Sequence, residues 1–82
     1  MEYNRLKWAS RRGMLELDLV LMPFLEKKYL TLSEREQALY VALLKEEDQD
    51  LFAWFLRHKE PPTDDLKEIV AIVLASTGLQ PD

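Results

Sequence analysis

Glycine is almost absent from this chain, and that restricts the folds available to it. The 82 residues include two glycines, at positions 13 and 78, so the long segment between them offers few natural breaks in helical structure. Glycine adopts backbone angles that other residues avoid and lets another backbone approach closely. We therefore expect Gly13 to end one helix and to precede the next. Because cysteine is absent, stability must come from packed apolar side chains.

Apolar residues recur at three- and four-residue spacing, which is typical of amphipathic helices. The pattern predicts helices over about 4–11 and 14–29, with Leu17, Val20, Leu21, Phe24 and Leu25 buried on the second. Pro23 predicts a kink there or a junction of two helices. Three further helices are predicted, with starts at Ser33 (a capping box with Glu36), at Asp48, and at Thr63 or Asp64.

These elements predict a small all-α domain of about five short helices over residues 1–82, with a frayed tail at 76–82. Gly78 is expected to end the last helix. Residues 30–32 are expected to form a short extended link. The aromatic residues Phe52, Trp54 and Phe55 have two interpretations, either completing the core or forming a partner-binding surface, and the small size favours the core.

Charge is unevenly distributed along the chain. Residues 1–12 carry a balance of plus three, whereas the other seventy carry minus seven. Binding to a phosphate backbone depends on concentrated lysine and arginine, so this balance argues against nucleic acid as a partner. A nucleic-acid site over residues 5–12 would predict salt-dependent retention on DNA or RNA. A basic N-terminal segment followed by an acidic remainder fits a protein partner better than a nucleic acid.

The longest apolar run, residues 19–25, is too short to cross a bilayer, so we expect no membrane insertion. The N-terminus also lacks the features of a secretory signal. A cytoplasmic protein is the simplest interpretation.

Signals of catalysis and of metal binding are missing from the sequence. His58 is the only histidine, and it follows a predicted helix, where its charge would complement the helix dipole. The acidic residues at positions 46–50 lack the spacing of a calcium-binding loop. Glu16 and Asp18 are two positions apart on a helix, so their side chains diverge. We expect no enzyme activity, no metal site and no cofactor of the protein's own.

The segment around Gly13 contains the strongest candidate site. If Gly13 caps the second helix, Glu16 is its third residue, where a carboxylate favours the free amides. Arg12 could then pair with Glu16, which at an exposed site contributes only ~0.5 kcal/mol. Trp8 lies on a short basic helix and could be exposed and functional. For Arg12, Gly13 and Glu16 both a structural role and a partner-binding role are possible, and the residues alone favour the structural one.

The Arg12-Gly13-x-x-Glu16 pattern, continued by Leu17-Asp18, resembles the signature of the FAD assembly factor family (SdhE-type, related to the mitochondrial succinate dehydrogenase assembly factors). The resemblance extends over about residues 4–75. It is supported further along the chain by Trp8, Pro23-Phe24, Leu43-Leu44 and the segment Asp48-x-Asp50-Leu51-Phe52-x-Trp54.

This resemblance implies a helper that binds the flavoprotein subunit of succinate dehydrogenase, and in some bacteria that of fumarate reductase. It implies that the helper promotes covalent attachment of FAD to a histidine of that client, so FAD belongs to the client. The partner-binding residues that it indicates are Arg12, Gly13 and Glu16, with Asp18, Trp8 and Arg11 as neighbours. The free protein is expected to be a monomer or a weak homodimer.

An alternative function belongs to another class of protein. A small helical regulator, antitoxin-like, would bind an unrelated protein target and have no connection with flavin. Isolation of partners separates the two hypotheses, because only the first predicts a large flavoprotein.

Overall fold

The structure is a computed structural model that describes residues 2–77. Five α-helices and one 3-10 helix make up its regular structure: α1 (Tyr3–Ser10), α2 (Leu15–Lys27), the 3-10 helix (Tyr29–Thr31), α3 (Glu34–Leu43), α4 (Asp48–Phe55) and α5 (Asp64–Thr77). Over residues 2–77 there is no strand, and the prediction of an all-α fold is confirmed. Gly78 and the remainder of the predicted tail lie outside the described residues.

Helix α2 is the centre of the fold and contacts α1, α4, α5 and the 3-10 helix, while α3 packs on α5. Its buried residues are the five predicted from the apolar period: Leu17, Val20, Leu21, Phe24 and Leu25. The helix continues through Pro23, so the alternative of two helices meeting there is wrong. A proline removes one backbone hydrogen bond, but the buried apolar face on both sides of it holds the helix together.

The predicted extended link at 30–32 is wrong, because the chain makes a tight 3-10 turn there. The amide of Thr31 donates to the carbonyl of Lys28 at 2.9 Å, and the amide of Leu32 donates to that of Tyr29 at 3.1 Å. The turn brings Tyr29 into the core, where its ring lies 5.5 Å from that of Tyr40. Burial of this aromatic ring favours the turn over an extended segment.

Two of the predicted helix caps are present, and one is wrong. At α3, the hydroxyl of Ser33 accepts from the amide of Glu36 at 3.1 Å, while the carboxylate of Glu36 accepts from the amide of Ser33 at 2.9 Å. At α5, the hydroxyl of Thr63 accepts from the amide of Leu66 at 3.2 Å, so Thr63 is the cap. Helix α4 is preceded by Glu47. Asp48 is its first residue, and its carboxylate bonds to another part of the chain.

Tyr40 lies at the meeting point of several elements. Its side chain is fully buried, its ring lies 5.3 Å from that of Phe24, and its hydroxyl is 2.7 Å from that of Ser10 on α1. Burial, the largest cause, raises the pKa of Tyr40 to about 12, against the opposing effects of the Ser10 hydrogen bond and the Arg12 charge. Trp54 and Phe55 are also buried and Phe52 is half-buried, which confirms the core interpretation of these aromatics.

Candidate partner-binding site

The loop between α1 and α2 consists of residues 11–14 and turns at Gly13. Arg11 and Met14 have extended backbone angles, whereas Gly13 has φ +80°. A side chain is strained at that angle, but a Cβ added to Gly13 would meet no atom within 4 Å. The glycine is therefore required by the turn, and the space above it is open to an approaching partner.

The side chain of Arg12 points into the protein. Its Nε donates to the carboxylate of Asp48 at 2.7 Å, and its Nη2 donates to the carbonyl of Glu46 at 2.8 Å. Its Nη1 donates to the carbonyls of Ala9 at 3.0 Å and of Leu44 at 2.8 Å. Four of the five N–H groups of the guanidinium are thus used within the chain, and the side chain is only 16% exposed.

These contacts join three helix ends. Ala9 is in the last turn of α1 and Leu44 follows the last residue of α3, so their carbonyls have no partner within their own helices. Asp48 begins α4. The ion pair of Arg12 with Glu16 considered above is wrong, because the guanidinium faces Asp48 instead. The assignment of Arg12 to partner binding stays a prediction.

Asp18 and Glu16 have different positions, although both are near the start of α2. The carboxylate of Asp18 is half-buried and accepts from the backbone amide of Arg12 at 2.8 Å, which ties the loop to the helix. Glu16 is exposed. It is the second residue of α2 and not the third, because Met14 rather than Gly13 precedes the helix. Its carboxylate remains favoured by the dipole of the first turn.

Trp8 and Arg11 are on the surface beside this loop. The indole of Trp8 is 74% exposed, so Trp8 lies on the surface, and its role in binding a partner stays a prediction. An open groove of about 450 Å³ lies between α1 and α2 and is lined by Asn4, Lys7, Trp8, Arg11 and Met22. The groove combines an aromatic ring with two cations.

The outer side of α2 is apolar as well, which the sequence analysis missed. Leu15 and Leu19, four residues apart, are 66% and 65% exposed. A signal was available, because α2 is rich in apolar residues on both of its sides, and such a helix is normally buried all round. Together these residues define a surface that we name the docking face: Trp8, Arg11, Gly13, Leu15, Glu16 and Leu19.

Within residues 2–77, no group of three or more histidine, cysteine, aspartate and glutamate side chains is placed to hold a metal ion. None of the helices described is long and apolar enough to cross a membrane. The fold and the site define a small helical domain with an exposed apolar and basic surface, and such a surface is typical of domains that bind another protein.

Comparison with known proteins gives the family. The model of the family described as the flavinator of succinate dehydrogenase (Sdh5) matches residues 4–77. The FAD assembly factor SdhE of Pseudomonas putida is 52% identical over 73 residues, covering 89% of this chain and 87% of that protein. The FAD assembly factor SdhE of Pseudomonas aeruginosa is 47% identical over 81 residues, covering 99% of this chain and 94% of that protein. The FAD assembly factor SdhE of Pectobacterium atrosepticum is 43% identical over 70 residues, covering 85% of this chain and 80% of that protein.

The chain therefore belongs to the SdhE family of FAD assembly factors. The resemblance stated from the Arg-Gly-x-x-Glu pattern is confirmed, and with it the expected class of function, that of an assembly factor.

Proposed function

We propose that this protein binds the flavoprotein subunit of succinate dehydrogenase through the docking face and promotes covalent attachment of FAD to it. The observation that carries the proposal is the exposed, largely apolar docking face on a chain whose family is described as the flavinator of that enzyme. Action on fumarate reductase and a cytoplasmic location belong to the same proposal. The protein acts as a binding partner without catalytic groups or a cofactor of its own.

The mechanism assigns the bond-forming atoms to the flavin and to a histidine of the client. A helper need only bind the attachment-competent conformation of the client more tightly than the others, which shifts the population toward it. Such a shift is limited by the difference in affinity, and moving from one in a hundred to ninety-nine in a hundred takes ~5.5 kcal/mol.

The docking face has groups suited to that task. Leu15 and Leu19 are about two-thirds exposed, and covering each contributes roughly 1–2 kcal/mol. The cations of Arg11, on this face, and of Lys7, in the adjoining groove, favour an acidic surface on the client and accelerate encounter. Arg12 and Asp18 hold the loop in one conformation, so little ordering entropy is lost on binding.

The test uses purified apo-flavoprotein subunit, FAD and the intact protein, with covalent flavin measured as fluorescence on the denatured client band. The double variant Leu15→Gln, Leu19→Gln is compared with Leu30→Gln, because Leu30 is 73% exposed but lies in the 3-10 helix. We expect the double variant to lose at least tenfold in stimulation while the Leu30 variant stays active. Equal stimulation by both would remove the apolar part of the docking face from the proposal.

Gly13→Arg provides a second arm of the test. The open space at Gly13 accommodates the side chain, and the positive φ costs about 1–2 kcal/mol, so the fold should be kept. The new side chain would stand between the docking face and the client, and we expect binding to be abolished. Normal binding and flavin attachment by this variant would contradict the proposal. If the intact protein stimulates covalent FAD attachment to neither the succinate dehydrogenase nor the fumarate reductase flavoprotein, the hypothesis of an unrelated protein target is favoured.

A further inference from the structure

A second groove, of about 350 Å³, lies between the α4–α5 connection and α5, away from the helices that form the docking face. Apolar side chains and cations line it together. On the apolar side are Trp54, Pro61, Val70 and Ala71, and on the basic side are Arg57, Lys59 and Lys67. Among the residues described, Glu60 is the one carboxylate in the lining, so the groove carries a balance of plus two. We name this surface the basic groove.

The backbone at Arg57 is unusual and directs attention to this groove. Arg57 has φ +59°, which makes it the one non-glycine residue with positive φ among residues 2–77. Its amide donates to the carbonyl of Trp54 at 3.1 Å, and the amide of His58 donates to that of Ala53 at 2.8 Å. This is the turn that ends many helices with glycine at the position of Arg57. An arginine held in a conformation that favours glycine points to a role for its side chain.

The charge of the basic groove is opposite to that of the rest of the domain. Residues 13–82 carry a balance of minus seven, yet three of their seven basic residues line this one groove. Lys67 approaches the carboxylate of Glu60 at 3.8 Å, whereas Arg57 and Lys59 form no ion pair within the described chain. Two exposed cations beside an apolar wall are therefore available to an anionic ligand.

We propose that the basic groove binds an acidic peptide segment of a protein partner, with a small apolar side chain of that peptide lying against the exposed Ala71 and the accessible edges of Pro61 and Val70. The carboxylates would pair with Arg57, Lys59 and Lys67. The volume is near the lower end of small-molecule sites and fits one or two side chains. Nucleic acid is a poorer fit, because Trp54 is only 5% exposed and offers no ring face on which a base could stack. The proposal is independent of the docking face.

The experiment measures fluorescence anisotropy of a short fluorescein-labelled peptide of alternating glutamate and leucine. Two further peptides, one with lysine for glutamate and one with serine for leucine, separate the charge requirement from the apolar one. We expect binding of the glutamate–leucine peptide, weakening by at least tenfold with either change, and loss of affinity as salt is raised.

The decisive variant is Arg57→Gly. Glycine relieves the strained backbone angle, so this variant should melt at a higher temperature than the wild type while binding the peptide at least tenfold more weakly. Loss of binding then cannot be attributed to unfolding. Lys59→Gln and Lys67→Gln should weaken binding further, whereas Lys27→Gln and Lys45→Gln, on other surfaces, should leave it unchanged.

Several results would overturn the proposal. These are no saturable binding of the glutamate–leucine peptide, equal binding of the lysine peptide, or unchanged affinity of the Arg57→Gly variant. Tighter binding of an oligothymidylate would assign the groove to nucleic acid instead. If the peptide binds only after removal of residues 78–82, the groove is a site for the chain's own tail and not for a partner.

Discussion

Arg12 and Glu16 belong to one sequence motif but have opposite positions in the molecule. The side chain of Arg12 donates four hydrogen bonds to its own chain, whereas Glu16 is exposed at the start of α2. Within the motif, Arg12 therefore fixes the conformation of the loop, whereas Gly13, in the loop, and Glu16, beside it, lie on the surface. A loss of function on substitution of Arg12 has two possible causes, and the stability of the variant separates them.

We expect Arg12→Ala to lower the free energy of unfolding by about 2–4 kcal/mol, because it leaves helix-end carbonyls and the Asp48 carboxylate without their partner. Glu16→Ala should change it by less than about 0.5 kcal/mol, since that side chain is exposed. Urea unfolding followed by circular dichroism measures both. If Arg12→Ala unfolds at the wild-type urea concentration, the network around Arg12 does not stabilise the fold.

The sequence could predict the break at Gly13 but not the partners of Arg12. The break follows from local chemistry, because glycine is so rare in this chain. The partners Leu44, Glu46 and Asp48 are 32, 34 and 36 positions away and come within reach only when α1, α3 and α4 pack together. The sequence shows that α2 is apolar on both of its sides, but it does not say which side the other helices leave uncovered, so exposure of Leu15 and Leu19 could not be predicted from it.

At the scale of elements, helix α1 depends on packing against the rest of the chain to keep its helical structure. It has eight residues, too few for a stable isolated helix, and only Leu6 and Ser10 are buried. Leu6 is fully buried, whereas Trp8, two residues and about half a turn further along, is mostly exposed. Leu6 is therefore the main apolar anchor of the helix that presents the aromatic part of the docking face, with Ala9 packed beside the core and Ser10 bonded to Tyr40.

Leu6→Ala should cost about 2–4 kcal/mol of unfolding free energy, since it removes a fully buried side chain and leaves a cavity. The amides of α1 should then exchange with solvent much faster than those of α2. Trp8→Ala is the matched control on the same helix and should change stability by less than about 0.5 kcal/mol despite the larger side chain. Equal destabilisation by the two variants, measured by hydrogen exchange and urea unfolding, would contradict this account of α1.

Element boundaries were predictable where a side chain acts on its own neighbours. The Ser33–Glu36 box and the Thr63 cap lie within three residues of the amides that they bind, so their spacing is visible in the sequence. The 3-10 turn at Tyr29 and the start of α4 were not predictable in this way. Tyr29 turns inward because its ring packs on Tyr40, and Asp48 is engaged by Arg12, both of which are tertiary contacts.

At the scale of the whole molecule, Tyr40 connects α1, α2, the 3-10 helix and α3 through one buried side chain. It contacts Ser10, Phe24 and Tyr29, and burial raises its pKa to about 12. Ionisation of this phenol in the folded state would place a charge in the core. Its titration is therefore coupled to the stability of the whole fold.

We expect the free energy of unfolding to fall as pH rises from about 10 to about 12. Below this window the phenol is protonated in both states and contributes no pH dependence. Within it the unfolded chain loses the proton that the folded chain keeps, so alkali favours unfolding, by up to about 2–3 kcal/mol. Urea unfolding at several pH values measures this contribution as the difference between the wild type and a Ser10→Ala, Tyr40→Phe double variant. The double variant leaves neither hydroxyl buried without a partner. The double variant keeps every other titratable group of the chain, so an equal fall in both proteins across this window would contradict the assignment to Tyr40.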